Sequence, residues 1–217
     1  QQIDFLGFSG SYAKGTAVKG GTDIDLFISL KPSLNMALAD IYQNLHQYVQ
    51  KNGYPYARAQ NVSIGLSVNG MNVDLVPAKQ QDAASGDHSL YKRKTNSWTK
   101  TNIQKHIQVV SQSGRLSEIR LMKLWRNQKN LDFPSFYLEL AIIEALHGYS
   151  LVSASGDFSG NIIRVLNYLK DNLKTARIVD PANTNNVISD DLSQSEKALI
   201  AQAASTALTG NWGNFIS

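Results

Sequence analysis

The chain changes texture once along its length, and that change limits the folds open to it. From Gln1 to about Gln81 the apolar residues fall in short β-like runs, "DIDLFISL", "VSIGLSV" and "NVDLVPA", around one helical stretch from Leu34 to Lys51. Asn69-Gly70 separates the last two runs, and such a dipeptide favours a two-residue hairpin turn, so these strands are expected to be antiparallel neighbours. From about Thr95 onward the spacing is helical, in "NIQKHIQVVSQS", "LSEIRLMKLWRNQK", "SFYLELAIIEALHGY", "NIIRVLNYLKDNL" and "QSEKALIAQAASTAL". Pro134 and the Ser193 to Glu196 spacing are helix-start signals. The expected class is α+β: a domain over residues 1–95 built from a mixed sheet with helices, then a helical lobe over 96–217, with "SGDHSLYKRKTNSW" at a soft boundary.

At 217 residues the chain is long enough for one large or two small domains, and about 70% of its unfolded surface can be buried. It has no cysteine, which excludes a disulfide framework and a thiolate zinc site and fits a reducing compartment, the cytoplasm by default. No apolar run approaches the length of a membrane span, and no charged-then-apolar leader opens the numbering, so no membrane association is expected. The net charge of +4 favours polyanionic partners such as nucleotides or nucleic acid without identifying one. His46, His88, His106 and His147 show no metal-ligand spacing. The numbering opens on Gln1 just before an apolar segment, as expected of a fragment that lacks an upstream helix or tag.

Chemistry concentrates in "GSYAKGTAVKGGTDIDLFISL", Gly10 to Leu30. On a strand, residues i and i+2 share a face, so Asp23 and Asp25 present both carboxylates to one side. Asp74, in "NVDLVPA", brings a third from a neighbouring strand. Three hard oxygen donors suit Mg²⁺ or Mn²⁺, and three like charges repel unless cations sit among them. Two such ions can clamp the attacking and leaving oxygens of a displacement at phosphorus. The Gly10-Ser11 turn offers backbone donors and a hydroxyl to an anion, and Lys14 adds positive charge. The combination calls for phosphoryl chemistry on a nucleoside triphosphate. A Walker A loop fails because Lys14 precedes Gly15 rather than following a glycine as Gly-Lys-Ser/Thr. An EF-hand fails because Ile24 to Leu30 supplies no further ligands. A metal-dependent glycosyltransferase also uses Asp-x-Asp, but the third aspartate and the Gly-Ser disfavour it.

These residues resemble the polymerase-β-like nucleotidyltransferase superfamily, whose pattern is Gly-Ser, a short gap, two aspartates in alternation and a third on a later strand. The match is closest to the branch of archaeal-type CCA-adding enzymes, oligoadenylate synthases and the bacterial cyclic-oligonucleotide synthases called CD-NTases. Thr101 and His106 fall where these enzymes carry a Thr-x-Pro-x-x-His-like segment, from which Asn102 and Ile103 depart. "LMKLWRNQK" resembles their Lys-x-x-x-Trp helix, which implies that Lys123 binds triphosphate. "FPSFYLEL" resembles their Pro-Ser-Tyr helix start, which implies base stacking by Phe136 or Tyr137. "VDPANTNNV" resembles a segment near the end of their helical lobe.

Plainer readings stand beside these. Lys123 shares a helical face with Arg120 and Asn127, as a solvated charge would, and Phe136 and Tyr137 also read as core aromatics. "YKRKTNSWTK" reads as a contact for acceptor nucleic acid or as a solvated basic loop. The resemblance implies a nucleotidyltransferase palm and a helical lobe, with a metal-bound NTP, ATP foremost, in the cleft between them. A nucleoside monophosphate would pass to an acceptor hydroxyl with release of pyrophosphate. Asp23 and Asp25 would hold both Mg²⁺ or Mn²⁺ ions, and Asp74 the one that activates the hydroxyl. Without an evident added RNA-binding domain, the expectation is a synthase of cyclic or short oligonucleotide signals in antiviral defence. Nucleic acid is admitted as acceptor or activator. The alternatives are a CCA-adding tRNA enzyme or a nucleotide-binding module without turnover.

Overall fold

The β-like runs assemble into one mixed sheet. β1 (Ile3–Phe8) lies antiparallel to β2 (Ile24–Leu30), and β2 pairs in parallel with a long strand, Met71–Gln80. That strand is β5; on its other side β4 (Ile64–Val68) and then β3 (Arg58–Ala59) follow antiparallel. The late end of β5 also pairs with β6 (His88–Lys92), which continues into β7 (Ser97–Thr101). Parallel strands need a long crossover. Here it contains α2 (Leu38–Lys51), while β1 and β2 are linked through the single turn of α1 (Gly10–Ala13).

The computed structural model describes residues 2–20, 23–149, 157–210 and 215. It divides into two compact units, Gln1–Gly15 with Thr22–Ile107 and Thr16–Gly21 with Gln108–Ser217. The sheet and α2 form the first unit. Even-numbered residues of β2 and the facing odd-numbered residues of β5 pack against α2, in a core that includes Ile28, Leu30, Ile41, Tyr42, Ile64 and Leu75. The opposite face carries Asp25 and Asp74 early in their strands and then closes over a second small core of Phe27, Ala78, Leu90 and Ile103. Both faces of β2 are therefore buried along its later half, which explains why "LFISL" reads as a continuous apolar run.

The Asn69-Gly70 hairpin is present, with both residues at positive φ (51° and 79°) and Val68 paired to Met71. Positive φ at both centres is the type I′ geometry that matches strand twist. The basic run differs from a loop: Tyr91, Lys92 and Ser97 to Lys100 belong to the β6–β7 ribbon, with Asn96 at positive φ in its turn. Its strands are only five residues each and their buried positions are His88, Leu90 and Thr101, two of them polar, so no period-2 apolar signal marked them. β1 went unmarked for a related reason, as an edge strand that leaves Ile3, Leu6 and Phe8 exposed.

In the second unit α4 (Leu116–Gln128), α5 (Ser135–Ala145), α6 (Phe158–Asp171) and α7 (Gln194–Thr209) pack around Trp125, Tyr137, Leu138, Ile142, Ile162 and Leu166. α3 (Ile103–Ser111) runs across the division between the units. α7 starts with the Ser193/Glu196 capping box, whereas Pro134 sits at the N-cap of α5, one position before the first helical residue. "VDPANTNNV" forms a two-stranded ribbon, β8 (Val179–Asp180) with β9 (Asn183–Val187).

His88 is the one histidine of the sheet core. Its Nδ1 lies 2.9 Å from the Gly86 carbonyl and its Nε2 2.8 Å from the Ser29 hydroxyl, the pattern of a neutral ring that donates to the first and accepts from the second. Burial holds its pKa below the ordinary 6.5. The unfolded chain therefore takes up a proton that the folded one resists, so this histidine's contribution is full above pH 6.5 and is lost as pH falls below it. The unfolding midpoint in urea should drop as the pH goes from 7 to 5, and the drop should be smaller in His88→Gln; equal slopes would refute the role.

Candidate active site

Three registers build the candidate site. Parallel pairing sets Asp25 opposite Asp74; antiparallel pairing sets Asp74 opposite Gly65 and Gly65 opposite Arg58. Residues in register on adjacent strands project from the same face, so the four form one row across β2, β5, β4 and β3. Asp23 lies just before β2, and its Oδ1 accepts a hydrogen bond from Asn72 Nδ2 at 3.1 Å.

Asp74 is held from the side. Its Oδ1 accepts from Gln60 Nε2 at 3.1 Å, and Ser63 donates its hydroxyl to Gln60 Oε1 while standing 3.4 Å from Asp74 Oδ2. The loop carrying Gln60 and Ser63 is itself anchored, because the buried Tyr42 hydroxyl of α2 reaches the Gln60 and Ser63 carbonyls at 2.8 and 2.9 Å. Burial raises the Asp74 pKa, and the nearby Asp23 charge raises it further, while Gln60, Ser63 and Arg58 oppose the shift.

Two glycines make this approach possible. A Cβ on Gly10 would sit 1.7 Å from Asp25 Oδ2, and Gly10 also has φ of +57°. A Cβ on Gly65 would lie 2.7 Å from Gln60 Nε2 and 3.2 Å from Asp74 Oδ1. The Gly10-Ser11 turn thus serves first to let the chain pass over a carboxylate. Ser9 donates its backbone N–H to the Asp25 carbonyl at 2.8 Å, which fixes that passage. Ser11 is half-buried within α1 and Lys14 is buried just after it.

Among the described residues no three His, Cys, Asp or Glu side chains converge as a ready metal centre. Asp23 is turned to Asn72 and Asp74 to Gln60 and Ser63. The donor chemistry nevertheless fits a hard divalent ion: Asp25 and Asp74 are in register, and Asp74 bears repulsion from Asp23 that a cation would relieve.

The helical unit holds the other candidates. Lys123, which reads from sequence as a solvated charge or a triphosphate ligand, is only 1% exposed. Its Nζ lies 2.5 Å from Glu139 Oε1 and 2.9 Å from Thr16 Oγ1, and Thr16 donates to the same Glu139 oxygen at 2.6 Å. The solvated reading is thereby excluded. Tyr137 is fully buried with its ring edge-on to Phe133, so it has no face for a base; Phe136 is half-buried at the start of α5. Thr101 is buried at the end of β7 and His106 half-buried on α3. Sequence reading missed Gln60, Ser63, Asn72, Thr16 and Glu139. Only Glu139 left a signal, as a lone acid inside the apolar run "YLELAII".

Two outcomes follow from these charges. Lys123→Met should lower unfolding free energy by about 3–5 kcal/mol by stranding Glu139, and Lys123→Met/Glu139→Leu should recover most of it in urea titrations. Asp74→Asn should raise the melting temperature of the metal-free protein by about 2–4 °C, the shift that about 1 kcal/mol produces in a chain of this size. Mn²⁺ should stabilise the original protein more than the variant, and the reverse ranking would argue against a cation at Asp74.

The family model described as the Second Messenger Oligonucleotide or Dinucleotide Synthetase domain matches residues 2–113. A curated relative, the Cyclic AMP-AMP-AMP synthase of Escherichia coli (strain MS 115-1), is 25% identical over 234 residues, covering 92% of this chain and 73% of the relative. The E. coli MS115-1 CdnC structure with ATP superposes with a TM-score of 0.74 at 21% identity, covering 99% of this chain and 81% of that one. The Bradyrhizobium diazoefficiens CD-NTase CdnG with GTP gives 0.74 at 14% identity, covering 96% and 78%. The matched segment spans more than half of the chain and contains all three aspartates of the row and its approach, so the chain belongs to the Second Messenger Oligonucleotide or Dinucleotide Synthetase family, the CD-NTase branch of the polymerase-β-like nucleotidyltransferases.

Proposed function

We propose that this chain transfers nucleoside monophosphates from NTPs to the ribose hydroxyl of a second nucleotide, yielding cyclic or short linear oligonucleotides. The observation that carries the reading is the cross-strand placement of Asp25 against Asp74, with Asp23 two residues before Asp25. The hydroxyl oxygen forms the new bond to the α-phosphorus, the bond to pyrophosphate breaks, and the hydroxyl proton passes to solvent water. Two Mg²⁺ or Mn²⁺ ions, when bound, supply charge neutralisation at phosphorus and lower the hydroxyl's pKa. Asp23 and Asp25 are the residues to hold both, and Asp74 the residue to hold the one on the acceptor side. Gly10, Ser11 and Lys14 are assigned to the triphosphate through backbone donors, hydroxyl and charge. The family resemblance implies Lys123 for the triphosphate, a role that would require it to exchange its buried Glu139 and Thr16 partners for phosphate oxygens, and Phe136 for the base, with the buried Tyr137 supporting α5 from within the core.

ATP is favoured as donor, since the curated relative is named for an all-adenosine product. One similar E. coli structure is a complex with HORMA-deltaN, which makes a protein partner of that kind one to test. No helix among the described residues is long and apolar enough to cross a membrane, in keeping with work in the cytoplasm.

The test is incubation with each α-labelled NTP, alone and in mixtures, with Mg²⁺ or Mn²⁺. Phosphatase-resistant oligonucleotides are expected. Asp25→Asn, nearly isosteric, should reduce product to background with an unchanged circular dichroism spectrum. Label found only in tRNA lacking its 3′ end would overturn the reading.

A further inference from the structure

Two of the three aspartates are held by neutral amides. Asn72 Nδ2 donates to Asp23 Oδ1 at 3.1 Å, and Gln60 Nε2 donates to Asp74 Oδ1 at 3.1 Å. The amides come from different parts of the first unit. Asn72 stands on β5 two residues before Asp74, and so on the same face, whereas Gln60 follows β3 directly.

Gln60 is fixed as a donor at this end. Its Oε1 accepts the Ser63 hydroxyl at 2.5 Å, its backbone N–H donates to the Ser63 carbonyl at 3.0 Å, and its own carbonyl accepts from Tyr42 at 2.8 Å and from Arg93 Nε at 3.1 Å. Turning the amide over would give up the Ser63 bond and set Oε1 against a carboxylate, acceptor against acceptor. Nor is there slack around it: Gln60 Nε2 and Arg58 Nη2 together fill the space above Gly65.

We infer that Asn72 and Gln60 are positioning residues that hold Asp23 and Asp74 apart until a divalent ion takes the carboxylates from them, so that the two amides set the cation affinity of the row, a role that rests on the proposed reading of the row as a cation site. With both amides engaged, no three acidic, histidine or cysteine side chains converge among the described residues, although Asp25 and Asp74 are in register. An ion shared by all three aspartates turns Asp23 from Asn72 and Asp74 from Gln60.

Repulsion acts in the same direction as the amides. The Asp23 charge reaches Asp74 and opposes its ionisation, so without a cation each carboxylate gains by being drawn to its own donor. A cation removes that repulsion and replaces the lost bonds. A lysine in place of either amide would cancel the charge that attracts the ion, and an apolar residue would leave the carboxylates free to converge on it. The two holds differ in strength. Asp23 and Asn72 are exposed, whereas Gln60 and Asp74 are half-buried, where water competes less for the bond.

The sign of one measurement separates this role from its opposite. An amide that readies a carboxylate for a metal strengthens metal binding, and its loss loosens the ion; an amide that holds the carboxylate back weakens binding, and its loss tightens the ion. The test is Mn²⁺ titration of the full chain without nucleotide, followed by electron paramagnetic resonance, for Asn72→Ala, for Gln60→Met and for the pair. Asn72→Ala should tighten Mn²⁺ binding about threefold and Gln60→Met about tenfold, the sizes of an exposed and a half-buried hydrogen bond to a charged group. Asn72 is exposed, so Asn72→Ala keeps the fold and decides the matter should Gln60→Met fail to fold. Unchanged or weaker Mn²⁺ binding in Asn72→Ala, or no Mn²⁺ binding by any of the proteins, would overturn the inference. Labelled NTPs given to the same proteins keep the two readings apart. Tighter Mn²⁺ binding without oligonucleotide product upholds the amide role and strikes the proposed reaction alone, and product formed at unchanged Mn²⁺ affinity strikes the amide role alone.

Discussion

The parallel pairing of β2 with β5 is the constraint on which the rest of the palm depends. It sets Asp25 opposite Asp74, and no hairpin could do so with the two strands running the same way. The crossover that parallel pairing requires is filled by α2, which covers the other face of the sheet and gives the first unit its larger core. A one-residue slip between β2 and β5 would turn one carboxylate into that core. The apolar partners Ile28, Leu30 and Leu75 therefore hold the register that the chemistry needs.

Placing carboxylates so close has a physical cost that the surrounding residues distribute. Asp74 is half-buried and feels Asp23, and neutral donors rather than buried cations meet it: Gln60, with Ser63 behind. Neutral donors leave the carboxylates' charge available to a divalent ion, whereas a buried lysine in the row would cancel it. The arrangement is traceable to α2, because Tyr42 holds the carbonyls of Gln60 and Ser63 and so fixes where their side chains point. Core packing and site geometry meet in that one hydroxyl.

The helical unit solves a different electrostatic problem. Lys123 and Glu139, on successive helices, are both buried, and Thr16 completes the cluster with its hydroxyl. Each charge taken out of water is tolerated because the other is at hydrogen-bond distance. Thr16 lies only six residues from Gly10 in sequence yet belongs to the helical unit, so the short segment after α1 is shared out between two packing environments.

Much of the fold, and the residues of the candidate site, were legible in the sequence. The Asp-x-Asp alternation, the Gly-Ser before it and the third aspartate in a second β-like run identified the palm, and Asn69-Gly70 announced the β4–β5 hairpin, because alternation and turn geometry are local properties of the chain. Helices α2 and α4 to α7 were legible for the same reason. What only tertiary structure decided are the pairings between distant segments. The parallel register of Asp25 with Asp74, the Gln60 contact that reaches past Gly65, the Asn72 contact with Asp23 and the burial of Lys123 against Glu139 all join residues whose separation carries no period. Lys123 shows the limit best: its helical face looked solvated because a helical wheel shows which residues share a face, and only packing says whether that face meets water or a carboxylate.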